Sequence, residues 1–330
     1  MIPFVSVEGV SQRFTPSVSI GERLAARLGS PAETRTVHAV DDVSLAIAKG
    51  EVLGLAGESG CGKSTLGRII AGILRPTAGT VQIDGAPVMG NGRSGRKTTT
   101  RVQMVFQDPF ASLNPRHRIG ETITEGAIVH GLVERRDAGA YAARWLTAVG
   151  LDPDAAMRFP HQFSGGQRQR IAIARALAMQ PDVIICDEPV ASLDVSIQAQ
   201  IVNLFLKLRR EFGLTLLFIS HDLGVVRHVS DRVAIMYLGR IVEMGETDTV
   251  FANPRHPYTR ALLDSVPQLR LNTDDIDFRP IQGELPSPLS PPPGCHFHAR
   301  CSFAGPICKT RAPRLEQQAG GGTVACHHPL

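Results

Sequence analysis

The sequence predicts an α/β protein with a substantial parallel core sheet, and three observations carry that expectation. Strand-sized apolar runs alternate with amphipathic helical runs over the first three quarters of the chain. One such run, Val52 to Ala56, leads through a glycine-rich turn directly into a helical pattern. Two more, Val183 to Cys186 and Leu214 to Ile219, are almost wholly apolar, which fits strands buried inside a sheet.

Composition narrows the class. At 330 residues the chain is long enough for about two structural units. Hydrophobic residues make up 43%, and 35 basic against 31 acidic side chains leave a net charge of +4. That balance excludes a disordered tail protein and argues against a dedicated nucleic-acid binder, which carries a strong basic excess. No run approaches the ~18 consecutive apolar residues of a membrane span. The amino terminus, MIPFVSVEGV, lacks the layout of a signal peptide, so a cytosolic chain is expected.

The elements follow in order. Phe4 to Val10, Ser44 to Ala48 and Thr80 to Ile83 alternate as strands of an antiparallel layer, punctuated by Asp41-Asp42, Lys49-Gly50 and Asp84-Gly85. Thr15 to Thr36 and Ala86 to Thr100 read as solvated surface loops, with a basic contact patch as the alternative. Leu66, Ile69, Ile70, Ile73 and Leu74 predict a helix stopped by Arg75-Pro76. Between Asp108 and His161 the pattern turns helical, with Tyr141, Trp145, Leu146 and Val149 at near-helical spacing, so an inserted helical subdomain is expected. Ile197, Ile201, Leu204, Phe205, Leu208 and Phe212 mark a helix closed by Gly213. Arg232 to Tyr237 and Arg240 to Met244 read as a hairpin. Beyond Pro254, GELPSPLSPPPGC is too proline-rich for a helix or an inner strand. The predicted organisation is a domain over residues 1–255, with its helical insertion at about 109–178, and a loop-rich appendage over 256–330.

Three motifs carry chemistry. Gly57-Glu58-Ser59-Gly60-Cys61-Gly62-Lys63-Ser64-Thr65 matches G-x-x-x-x-G-K-[ST] in full. Glycines there let backbone N–H groups turn inward around phosphate oxygens, the following helix offers its positive end, Lys63 reaches the β and γ phosphates, and Ser64 gives a hydroxyl to Mg²⁺. Asp187-Glu188 follows the apolar strand at Val183, at the end where open α/β sheets place ligands. Asp187 is the candidate to hold Mg²⁺ through its water shell, and Glu188 to polarise an attacking water. Ser164-Gly165-Gly166-Gln167 precedes Ile171, Ile173, Ala174, Leu177 and Ala178, so Ser164 can cap a helix whose first N–H groups stay open to an anion.

In these motifs and their order the sequence resembles the ATP-binding subunit of ABC transporters. Gln107 in Val105-Phe106-Gln107-Asp108-Pro109 is similar to the family's Q-loop glutamine, Ala191-Ser192-Leu193-Asp194 to its D-loop, and His221 after Ile219-Ser220 to its switch histidine. The resemblance covers about residues 1 to 250. It implies a P-loop ATPase that works as a head-to-tail dimer around two ATP molecules. Glu188, His221, Gln107 and Lys63 then carry hydrolysis, and Ser64, Gln107 and Asp187 hold Mg²⁺. ATP is bound by 57–65 of one chain and by Ser164, Gly165, Gly166, Gln167 and Asp194 of the other. Phe14 sits where the family stacks an aromatic ring on adenine; a core phenylalanine is the other reading.

The carboxyl-terminal quarter resembles the tail of the oligopeptide and dipeptide importers, through Asn253-Pro254-Arg255-His256-Pro257-Tyr258-Thr259 and Gly283-Glu284-Leu285-Pro286-Ser287-Pro288. That implies peptide uptake, with nickel or glutathione as alternative cargo. The implied partners are two permease subunits, a second ATPase subunit, and indirectly an extracytoplasmic peptide-binding protein, with the chain peripheral on the cytoplasmic side of the inner membrane. A soluble cassette ATPase acting on nucleic acid or ribosomes is the rival from another class. It is disfavoured by the single phosphate loop and by the short stretch between Gln107 and Ser164, which leaves no room for a long arm.

Cys295, Cys301, Cys308 and Cys326 are spaced C-x5-C-x6-C-x17-C. Four thiolates can close a zinc site or hold an iron–sulfur cluster. The resemblance implies a [4Fe–4S] cluster; zinc and free thiols are the alternatives, and the nearby His296, His298, His327 and His328 keep mixed ligation open. Cys61 and Cys186 read as small buried or loop residues without a catalytic role.

Overall fold

The structure is a computed structural model that describes residues 3–15, 36–90, 97–266, 281–318 and 321–330. The expected surface loop from Thr15 to Thr36 falls almost wholly outside these residues. In chain order the strands are β1 (Val5–Phe14), β2 (Val37–Ile47), β3 (Val52–Ala56), β4 (Ala78–Ile83), β5 (Ala86–Pro87), β6 (Val102–Val105), β7 (Val183–Asp187), β8 (Thr215–Ile219), β9 (Arg232–Tyr237), β10 (Arg240–Glu246), β11 (Glu316–Gln317) and β12 (Thr323–Val324). They form an antiparallel layer in the order β2-β1-β4-β5 and a larger sheet in the order β11-β12-β10-β9-β3-β8-β7-β6. In the larger sheet, β9, β3, β8, β7 and β6 run parallel, while β10 and β12 continue it antiparallel.

The absence of apolar alternation in the central strands has a direct cause. Ile184, Cys186, Leu216 and Phe218 point into a core shared with the helical insertion. Val183, Ile185, Leu217 and Ile219 point into a second core shared with the antiparallel layer. Successive side chains of one strand thus feed opposite cores, so every position has to be apolar.

The helix after β3, α1 (Lys63–Ile70), places Leu66, Ile69 and Ile70 in the second core. It is shorter than its apolar spacing predicts. Gly72 adopts φ +69 and ends the helix, leaving Ile73 52% exposed.

The insertion contains α2 (Pro109–Ser112), α3 (Ile119–Val129), α4 (Ala138–Ala148) and α5 (Gly165–Leu177). Trp145 and Leu146 of α4 pack in the first core, as their spacing predicts. α6 (Val195–Phe212) buries Ile201, Leu204, Phe205 and Leu208 there and closes at Gly213, φ +64. α7 (Leu223–Val229) covers β3 from the third core. The stretch from Ala86 to Thr100 is not bare loop: β5 pairs with β4, and Met89 bridges to Lys97.

Beyond residue 255, the described residues are joined to the body. β12 pairs with β10, and Ala325 N–H donates to the Val242 carbonyl at 2.8 Å. The buried Glu243 accepts the N–H groups of Arg255 and His256 at 2.8 and 3.0 Å. α8 (Thr247–Ala252) and α9 (Pro257–Asp264) follow β10. The His256 side chain caps α9 by accepting the Tyr258 N–H. Burial pushes the His256 imidazole down to about 3, so the ring is neutral and its nitrogen is free to accept.

Close packing at β3 yields a test. A Cβ on Gly54 would lie 2.4 Å from Ser230 Oγ and 2.7 Å from Val226 Cγ1. Gly54→Val is therefore expected to push α7 off the sheet at a cost of about 1–3 kcal/mol. A clear drop in the thermal unfolding midpoint is the predicted outcome, and an unchanged midpoint would contradict the packing described.

Candidate functional site

The chemistry-bearing residues gather at the carboxyl ends of β3, β7 and β8. Between β3 and α1 the chain makes a tight loop whose glycines are demanded by the space around them. Gly57 has φ +153, and a Cβ there would sit 2.1 Å from the Met236 carbonyl oxygen. Gly62 has φ +107, and its Cβ would sit 2.1 Å from the Ala39 carbonyl oxygen. Ser59 and Gly60 are exposed at the loop tip, while Cys61 is buried with its thiol pushed up by burial. Lys63 is 4% exposed, and its ammonium donates to the Gly57 and Glu58 carbonyls at 2.7 and 2.9 Å. Its charge therefore sits inside the loop that the α1 N-terminus faces, as phosphate binding requires. Thr65 follows in the first turn, half-buried.

Ser64 Oγ donates to Asp187 Oδ1 at 2.7 Å. Asp187 ends β7 and is 3% exposed, and burial raises its carboxyl above the usual range against the opposing pull of the Ser64 hydrogen bond. Two hard oxygen donors held this close suit Mg²⁺, which takes one or two carboxylates or hydroxyls alongside phosphate and water.

Glu188, the next residue, has φ +46, a conformation that L residues rarely adopt. Its carboxylate meets two of the predicted partners. Gln107 Nε2 donates to Glu188 Oε2 at 3.3 Å, and His221 Nδ1 lies 3.2 Å from the same oxygen. Three segments far apart in sequence thus converge on one oxygen. Gln107 is held on Glu188 here rather than on the Ser64–Asp187 pair where its Mg²⁺ role would place it.

The remaining residues lie outside this cluster. Ser164 caps α5 and forms a capping box with Gln167: Ser164 Oγ accepts the Gln167 N–H at 3.4 Å, and Gln167 Oε1 accepts the Ser164 N–H at 3.0 Å. Gly166 packs against α6, where a Cβ would come 2.6 Å from Ile197 Cγ2, and Gly165 lies beside it near Leu193. Ser164, Gln167 and Asp194 are exposed. Phe14 closes β1 at 41% exposure, so it is not a core residue. Cys186 is fully buried in β7, and burial raises its thiol.

Cys295, Cys301, Cys308 and Cys326 line one small hollow together with Phe297. Burial pushes the Cys295 thiol up to about 11 and raises Cys301 and Cys326 as well. Among the described residues, no group of three or more His, Cys, Asp or Glu side chains is arranged to hold a metal ion. The four thiols nevertheless share one hollow, which His256, His298, His327 and His328 also line.

Two residues that the sequence did not assign to the site border the phosphate loop. Tyr258 Oη accepts the Glu58 N–H at 3.0 Å, and Arg300 pairs with the Glu58 carboxylate at 3.0 Å. They lie 200 and 242 positions further along the chain. No local pattern announces contacts over such separations.

Comparison with known proteins agrees with this geometry. Residues 40–191 match the ABC transporter family, and residues 242–308 match the oligopeptide/dipeptide transporter C-terminal region. The chain is 51% identical over 294 residues to the oligopeptide transport ATP-binding protein AppF of Bacillus subtilis, covering 88% of this chain and 89% of that one. It is 48% identical to the di/tripeptide transport ATP-binding protein DppF of Pseudomonas aeruginosa, covering 88% and 90%. Among solved structures, cbiO1 of Clostridium perfringens, part of an ABC transporter complex, superposes with a TM-score of 0.62 at 29% identity, covering 76% of this chain and 92% of that one. The ATP-binding cassette MJ0796, a dimer in a post-hydrolysis state with ADP and Pi, superposes at 0.60 and 28%, covering 74% and 98%.

The buried Asp187 carboxyl has a measurable consequence. A raised folded pKa means that the native state binds more protons than the unfolded chain, so this group costs stability as pH rises through its folded value. Asp187→Asn is expected to raise the thermal midpoint of the nucleotide-free chain at neutral pH, by the equivalent of about 1 kcal/mol. The gain should vanish below the ordinary carboxylate range. A variant no more stable at neutral pH than the wild type would refute it.

Proposed function

The chain belongs to the oligopeptide and dipeptide class of ABC transporter ATP-binding subunits, ATPases coupled to peptide import, and on that premise we propose how its residues do that work. The observation that carries the proposal is the convergence of Gln107 and His221 on the carboxylate of Glu188, beside the Ser64–Asp187 pair. Glu188 accepts a proton from the water that attacks the γ phosphorus. As the new oxygen–phosphorus bond forms, the bond to the bridging oxygen breaks and ADP leaves. His221 and Gln107 fix the orientation of Glu188, and Lys63, whose ammonium sits inside the loop, offers its charge to the incoming phosphates. Mg²⁺ would be held by Ser64 and Asp187 and would neutralise charge on the β and γ oxygens; the Gln107 amide oxygen, whose own nitrogen is the atom bonded to Glu188, would be free to join it as a further ligand.

The exposed Ser164–Gln167 turn and Asp194 are the surfaces we assign to the second cassette of a head-to-tail dimer, across which each ATP is closed. The exposure of Phe14 supports its stacking on adenine. The names of the relatives support peptide over nickel or glutathione as cargo. Among the described residues no helix is long and apolar enough to cross a membrane. The transport roles named for its relatives support placing the chain as a peripheral subunit on the cytoplasmic side, under two permease subunits and fed by an extracytoplasmic peptide-binding protein. A groove of about 780 Å³ between β6 and α3, lined by Lys97, Gln103, Phe106, Glu125 and Arg175, is the surface we assign to the permease. It adjoins Gln107, so docking and catalysis share a segment. The organisation proposed is an ATPase domain over 1–255 and a class-specific tail over 256–330.

ATPase activity of the chain in permease-containing vesicles is expected to rise with peptide and not with DNA or ribosomes. Glu188→Gln should retain ATP binding while losing about a hundredfold or more in turnover. Undiminished turnover in that variant would remove Glu188 from its role, and stimulation by nucleic acid would favour the soluble class.

The hollow lined by four thiols is the place we propose for an iron–sulfur cluster. The convergence of four cysteines of one short tail on one hollow supports it, and His298, His327 and His328 line the same hollow as further candidate ligands. Anaerobically purified chain is expected to carry iron and sulfide with visible absorption, lost in Cys301→Ser. A colourless, iron-free protein overturns the proposal, and stoichiometric zinc would replace it.

A further inference from the structure

The tail touches the catalytic body at a place where no tail is needed for ATP chemistry. Arg300 Nη1 donates to both carboxylate oxygens of Glu58, at 3.0 and 3.1 Å. The Arg300 side chain is only 6% exposed. Its Nε donates to the Gln282 carbonyl at 3.2 Å, and its Nη1 lies 3.5 Å from Tyr237 Oη. On the backbone side of the same residue, the fully buried Tyr258 accepts the Glu58 N–H. Tyr237, Tyr258 and Phe297 pack ring against ring behind these contacts, with centroids 4.6, 5.2 and 5.3 Å apart. Phe297 also lines the cysteine hollow.

We propose that this tail contact is a brace on the phosphate loop, with Arg300 and Tyr258 acting as positioning residues for ATP through Glu58. The inference rests on the ATPase reading above and adds residues to it. Two physical reasons support it. Lys63 spends N–H donors on the Gly57 and Glu58 carbonyls, and the same ammonium is the group that phosphate competes for. Tyr258 and Arg300 grip Glu58 by backbone and by side chain through groups that are not needed for phosphate. The second reason is charge. Glu58 puts a carboxylate into a loop built for a polyanion, and unpaired it would repel the phosphates. A guanidinium this well buried cancels that charge with little screening by salt.

The bland alternative is that Arg300 only fastens the tail to the body, and the test separates the two by charge. Equilibrium binding of Mg·ATP to the full chain is measured by calorimetry for the wild type, Arg300→Gln, Arg300→Lys, Tyr258→Phe and the double variant Glu58→Gln/Arg300→Gln. Arg300→Gln is expected to weaken ATP about tenfold, the scale of one buried charged hydrogen bond. Turnover at saturating ATP should change much less, because the lost interaction acts on binding. Arg300→Lys is expected to keep most of the affinity, and Tyr258→Phe to lose part of it. Adding Glu58→Gln to Arg300→Gln should recover most of the loss, a coupling that a purely structural role would not produce. An Arg300→Gln variant with a lowered unfolding midpoint but unaltered ATP affinity overturns the brace, as does a double variant no tighter than the single. If Arg300→Gln does not fold, wild-type affinity in Tyr258→Phe overturns it. Wild-type chain that binds no ATP overturns the ATPase reading itself, and the brace with it.

Discussion

The hydrogen bond from Ser64 to Asp187 is the contact on which the rest of the site depends. It ties the first turn of α1 to the end of β7 across 123 residues of sequence. Through it the phosphate loop and the acidic pair become one object. Asp187 is nearly inaccessible, and its carboxyl is raised by burial. Desolvation of the charged form outweighs the Ser64 hydrogen bond and the pull of the Arg68 and Lys63 charges together. Its position makes sense as a place prepared for a cation and phosphates.

The layering of the fold makes that arrangement possible. β8 and β7 are apolar on both faces because one face packs on the helical insertion and the other on the antiparallel layer, while β3 lies between that layer and α7. Polar side chains are excluded along these strands and emerge where the strands end. The first residue beyond β7, Glu188, takes a left-handed backbone that costs about 1–3 kcal/mol in a non-glycine residue. That turn aims its carboxylate at Gln107 and His221 while Asp187, one residue earlier, faces Ser64. Two adjacent acids thereby face different partners.

The tail is bound into this body. It extends the main sheet through β12 and β11, packs Phe297 against Tyr237 and Tyr258, and reaches the phosphate loop through Arg300. Cys295 and Cys301 flank Phe297 and Arg300 along the chain. The cysteine hollow and the nucleotide loop are therefore neighbours, separated by one layer of aromatic rings. Phe297 lines the hollow and packs on Tyr237 and Tyr258, the rings that lie behind the contacts to Glu58.

Much of this was legible in the order of residues. The apolar runs, the glycine loop before Lys63, Asp187-Glu188 after a strand and the Ser164 cap each follow from local spacing, because periodicity and backbone freedom are properties of short segments. Spacing was less reliable at the ends of elements. The Ile73 and Leu74 positions continued a helical pattern that Gly72 ends, since a left-handed glycine outweighs periodicity. β11 and β12, two residues each, are too short to show any period, so the tail read as separate from the sheet. Tertiary structure alone decided that Gln107 and His221 meet on one oxygen of Glu188, and that Arg300 and Tyr258 hold Glu58. Sequence determines which groups are available and which local shapes they favour. Contacts across 200 residues depend on how whole layers pack, and no short stretch of the chain contains that information.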